Sequence, residues 1–176
     1  MGFSHLSIKG VSGTAFNGQG VLYIGKENTG WLQWRIALFP LSVHFYLHGD
    51  SVSGEAEVKP DSLESGQVWL KRVFLSSLPN TPFSNIHIPQ GSLSYQDGRL
   101  VDAFAPSGRL NAFGVEGYFE AEHLASGQGA GVFFQHGISQ PFSRFSWSIS
   151  HQELRYKAFG SWGEMEGDLP LPVLPK

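Results

Sequence analysis

The chain has 176 residues, 41% apolar and only 15% charged, with 22 Gly, 14 Phe, 5 Tyr, 5 Trp and no Cys. Its formal net charge of −3 and scattered Lys and Arg exclude the basic patch that nucleic-acid binding needs, and the missing cysteines exclude disulfides, thiol chemistry and Cys-based metal sites. Rings suit a pleated, half-buried surface and glycine suits turns, so the composition points to β structure in one domain over residues 1–176.

Residues 1–5 have neither the basic nor the apolar region of a signal peptide, and no window approaches the roughly 18 apolar residues of a membrane helix. Met1-Gly2 reads as an addition, with the natural chain expected to continue upstream. From Gly10 to Gly20 the sequence Gly-Val-Ser-Gly-Thr-Ala-Phe-Asn-Gly-Gln-Gly reads as turn, short strand and turn. A strand follows from Gly30 and ends at Pro40, with Leu32, Trp34, Ile36 and Leu38 on one side. Trp34 is therefore expected in the core. Trp31 and Phe39, on the other side, are expected to be exposed and available for interaction.

Alternation then recurs to the end of the chain. Leu41, Val43, Phe45 and Leu47 oppose Ser42, His44, Tyr46 and His48; Val52, Ala56 and Val58 oppose Ser53, Glu55, Glu57 and Lys59. Lys71 to Leu78 reads as a helical turn stopped by Pro79. The segment Leu75–Gly91, with Pro79, Pro82 and Pro89, reads as a link between sub-halves 1–78 and 90–176. Asp97-Gly98 is the best hairpin turn, because both residues tolerate positive φ. Val115, Phe119 and Ala121 oppose Glu116, Glu120 and Glu122. Phe145, Trp147 and Ile149 oppose Arg144, Ser146 and Ser148, and Leu154, Tyr156 and Ala158 oppose Glu153, Arg155 and Lys157. The tail Asp168–Lys176 is too rich in proline for a central strand and is expected to lie extended on the surface. The fold class is all-β, a mainly antiparallel, curved or twisted sheet of roughly a dozen short strands.

No catalytic residue, metal ligand or cofactor site is expected. His44 and His48 share a strand face, but four residues of strand rise separate them by roughly 13 Å, too far for one metal with ligands at about 2 Å. Glu116, Glu120 and Glu122 read as the wet side of a strand. No nucleophile elbow, His-Glu-x-x-His or phosphate-binding loop is present. The aromatic load, including Trp31, Trp34, Trp69, Phe133, Phe134, Phe145, Trp147 and Trp162, either fills a core where the sheet folds over itself or lines an apolar groove.

The turn Gly10 to Gly18 and the strand Leu32 to Leu41 resemble the "G-V-S-G-T-x-W-x-G" and "L-x-W-R-L-x-P-L" patterns of the periplasmic domains of the type II secretion system protein N family. Phe16 stands where that family usually has tryptophan, and Leu75-Ser-Ser-Leu-Pro79 is similar to its "L-x-x-L-P" element. Gly10, Gly13, Gly18, Trp34, Arg35, Pro40 and Leu41 occupy the matching positions. The resemblance implies that these residues are architectural and that the protein is non-enzymatic. It implies an accessory component of type II protein secretion, periplasmic and held to the inner membrane by an N-terminal helix, with the periplasmic domains of other secretion subunits as partners. A competing expectation comes from AsmA-like envelope proteins, whose one-sided, glycine-turned sheets curve into a trough that shelters lipid.

Overall fold

Alternating apolar and polar residues give each strand one dry and one wet side, and a succession of such strands satisfies its backbone by pairing neighbours. The computed structural model describes residues 6–62, 64–77, 83–112, 114–150, 152–161 and 163–171. They form β1 (Leu6–Gly13), β2 (Asn17–Ile24), β3 (Glu27–Leu38), β4 (Leu41–His48), β5 (Val52–Pro60), β6 (Gly66–Ser77) and β7 (Phe83–Gln96). The chain continues through β8 (Arg99–Phe104), β9 (Ser107–Ala112), β10 (Val115–Ala125), β11 (Gln128–Gln135), β12 (Pro141–Ser150), β13 (Glu153–Gly160) and β14 (Gly163–Pro170). The fold is all-β, a single antiparallel sheet of 14 strands that is not closed into a barrel.

Spatial order follows chain order with one exception. β7 is 14 residues long and gives its later half, Ser92–Gln96, to β8 and its earlier half, Phe83–His87, to β9. β8 therefore leaves the main path, and β9 carries the sheet onward to β10.

Register aligns the apolar residues of successive strands. Trp34, Phe45, Ala56 and Leu70 face one another across β3 to β6, as do Ile36, Val43, Val58 and Val68. Gly131, Phe145, Ala158 and Met165 continue the pattern across β11 to β14. The opposite side carries rows such as Gln33, Tyr46 and Glu55. A one-residue slip anywhere would turn a whole strand's apolar set to water, so register is strongly specified.

Burial is uneven along this sheet. Phe119, Phe133 and Ala112 form the core cluster, with Ile88, Leu110 and Phe145 packed against it. The rings of Phe83 on β7 and Tyr156 on β13 approach to 6.4 Å although four strands lie between them in the sheet. The C-terminal part is thus curled into a trough. β1–β6 keep the same apolar face more open, with Leu38 54% and Leu41 49% exposed.

Several expectations change. Lys71–Ser77 is not helical but the second half of β6, paired on both sides with β5 and β7; Leu78 lies outside the described residues. Two ladders outweigh the local helical reading, and the irregularity behind it is a β-bulge at Arg72, whose φ is +52°. Pro89 does not interrupt the chain either, because β7 runs through it. Trp34 is half-buried rather than fully enclosed. The tail keeps out of the central strands as expected, since Asp168, Leu169 and Pro170 belong to β14, an edge strand where proline removes no shared ladder bond; residues 172–176 lie outside the described residues. The Asp97-Gly98 turn has φ of +53° and +69°, as that dipeptide predicts.

Candidate functional site

Two hollows draw on the residues singled out by the sequence. The apolar one is the floor of the C-terminal trough, a cavity of about 230 Å³. Ile86 and Ile88 of β7, Ala112 of β9, Phe119 of β10, Phe133 of β11 and Phe145 and Trp147 of β12 line it. Leu154, Tyr156 and Ala158 of β13 and Leu169 of β14 close the far side. Among the described lining residues Ser143, Ser146 and Tyr156 alone carry side-chain oxygen, and the other twelve are apolar. The cavity favours an apolar occupant.

Glycine on a neighbouring strand makes room for several rings of the trough. A Cβ on Gly108 would stand 2.5 Å from Cε1 of Phe119, one on Gly131 would stand 2.5 Å from Cζ of Phe145, and one on Gly129 would stand 2.7 Å from Cε2 of Trp147. The rings therefore lie across the sheet instead of standing up into the cavity, covering backbone that glycine leaves bare. That arrangement leaves the trough open while its walls stay aromatic.

β8 closes one end. The Trp147 indole donates to the Ala103 carbonyl at 3.1 Å, and the Phe104 ring stacks on Trp147 at 6.5 Å. Asp102 accepts from the Gly127 amide at 2.9 Å and contacts Nε2 of His123 at 3.0 Å. The carboxylate thus ties β8 to the β10–β11 turn.

The second hollow, about 340 Å³, is polar and lies where β1, β2 and β3 meet. Gly13, Gly18, Trp34 and Arg35 line it together with Asn17 and Gln33. The two stretches that resemble the secretion family thus converge in space. Gly13 has φ of +100°, and a Cβ there would stand 2.8 Å from the Gly18 Cα, a conformation and a contact that only glycine accepts. Gly18 lies under the Trp34 ring, and Trp34 donates its indole N–H to the Ala15 carbonyl at 3.1 Å. Arg35 is exposed. Gly10, with φ of +63°, sits at the β1 bulge. Pro40 follows a cis peptide at the β3–β4 tip, and Leu41 pairs with Leu38 there; all three lie outside the hollow. Phe39 at that tip is 96% exposed, and Trp31, 40% exposed, borders a different hollow with Tyr46 and Arg72.

The displaced ionisable groups lie away from both hollows. A hydrogen bond from Lys59, then its positive charge and those of His44 and Lys71, hold the Glu57 carboxyl below its ordinary range against partial desolvation. A hydrogen bond to Glu166 and the charges of Glu166 and Glu164 raise Lys157. Among the described residues no three His, Asp or Glu side chains gather as a metal site would require.

Sequence patterning exposed the aromatic walls but missed Ile86 and Ile88, which fall in the stretch read as a linker, and the Asp102–His123 contact, which joins residues 21 positions apart. The Leu100–Asp102 segment carried no sign of its partner. No protein-family model, curated protein or solved structure matches the chain.

Proposed function

We propose that this chain is a non-enzymatic accessory component of type II protein secretion, placed on the periplasmic side of the inner membrane, that works by binding other envelope subunits. The resemblance over residues 10–41 supports this reading. So does one structural observation: the main strand path ends in β1 and β14, which among the described residues each pair on one side only. An unpaired strand edge is a template for strand addition by a partner. The residues shared with the family serve the sheet itself, Gly13 by its turn and Gly18 by seating Trp34, which fits an architectural motif on a binding scaffold. The test is a pull-down with the periplasmic domains of the other secretion subunits, coupled to deletion of the chain in its host. Capture of one subunit and impaired secretion support the adaptor; intact secretion and no capture overturn it.

A second reading rests on the 230 Å³ apolar cavity. In it the trough shelters an acyl chain, as in AsmA-like envelope proteins. Mass spectrometry of the purified protein separates the two readings, since a lipid carrier brings acyl chains with it and an adaptor comes off clean.

A further inference from the structure

The two ends of the main strand path carry opposite charge. β1 to β3 and their turns hold Lys9, Lys26 and Arg35 against a single carboxylate, Glu27. β13 and β14 hold Glu153, Glu164, Glu166 and Asp168 against Arg155 and Lys157. The carboxylates of β14 alternate with Met165 and Leu169, so they share the outer face, and Lys157 reaches Glu166 at 3.1 Å while Arg155 reaches Asp168 at 3.5 Å. Two cations cannot neutralise four carboxylates, and the surplus stays negative. At the other edge Lys9 lies over the Tyr23 ring at 4.6 Å, also on the outer face, with no carboxylate partner among the described residues.

Beyond binding other subunits, we propose that the two edges also fit each other, with β14 of one molecule beside β1 of a second copy of this chain and the end strands of the assembly left to other partners. Geometry and charge both limit the alternatives. An even number of antiparallel pairings separates β1 from β14, so the two strands run in the same direction. Moving a copy sideways, with its apolar face kept on the same side, therefore brings β14 and β1 together as a parallel pair. Joining β14 to β14, or β1 to β1, requires a half-turn and sets like charges against each other, which costs stability. The sideways arrangement sets Glu166 and its neighbours near Lys9 on the outer face. On the inner face it places Ile8, 39% exposed, next to the Met165–Leu169 row, so the apolar side runs unbroken from one molecule into the next. Such a contact is heterologous, and it propagates until a ring closes or an open chain forms.

Sedimentation velocity of the full chain, over a wide range of concentration and at low and high salt, tests the proposal. The expected result is mass that grows past the dimer with concentration and falls back with salt, as screening of exposed charges requires. Lys9→Glu should raise the concentration for half-association by about tenfold or more, since it sets like charges together, and Glu166→Lys should weaken it in the same direction. The double variant Lys9→Glu/Glu166→Lys restores opposite signs and should recover association. Urea unfolding of each variant separates lost association from lost folding. A protein that stays monomeric at low salt, stops at a dimer, or associates equally well with either charge reversed alone overturns it.

Discussion

The ring of Trp34 occupies the space above Gly18 on the adjacent strand: a Cβ built on that glycine would stand 2.7 Å from Cε2 of the indole. The pairing of Gly18 with Trp34 in the β2–β3 ladder and the bond from the indole to Ala15 hold the ring in place. Gly18→Ala should therefore cost about 1–3 kcal/mol, the range for overpacking. Trp34→Ala should cost about 3 kcal/mol, the low end for a buried aromatic, because the ring is only half-buried. The double variant should cost clearly less than the two added together, since the clash disappears with the ring. Urea denaturation of the three variants reads this directly.

Ile86 is 5% exposed and forms part of the trough wall. Its truncation to Ala should cost about 2–5 kcal/mol, unlike a substitution in a linker. Ala112→Leu places a side chain into the cavity from a residue only 4% exposed. On the reading in which the trough shelters an acyl chain, it should weaken binding of a dansyl-labelled fatty acid while leaving the far-UV circular dichroism spectrum unchanged.

Asp102 satisfies the Gly127 amide and contacts His123. Asp102→Ala leaves a part-buried donor without its acceptor, at a cost of about 1–3 kcal/mol. Amide hydrogen exchange should then rise in β8 and in the β10–β11 turn while β10 and β11 themselves stay protected, because only the tie between them is lost.

Glu57 titrates below the ordinary carboxylate value mainly because Lys59 donates a hydrogen bond to it. A carboxylate with a depressed folded value adds stability above its unfolded pKa of about 4.3, and that stability disappears as pH falls through the folded value. Carbon-detected NMR should show the Glu57 midpoint below those of unpaired glutamates, and Lys59→Met should move it upward.

Strand positions, their dry faces and the tight turns were legible because each depends on residues close in sequence. Alternation placed Leu32, Trp34, Ile36 and Leu38 on one face, and Asp97-Gly98 marked its hairpin by the positive φ both residues accept. The same local reading made a helical turn of Lys71–Leu78, because one strand holds no record of the two ladders that flank it. Curvature decides the remainder. Ile86 and Ile88 become walls of a cavity only when β7 comes round to face β13, and Asp102 meets His123 only when β8 swings off the sheet. The amino-acid pattern determined a one-sided antiparallel sheet, since period and turn chemistry act over a few residues. How far that sheet bends, and so which apolar rows enclose space and which stay open, was decided by tertiary structure. Bending depends on how rings seat on glycines contributed by neighbouring strands, as Phe145 does on Gly131.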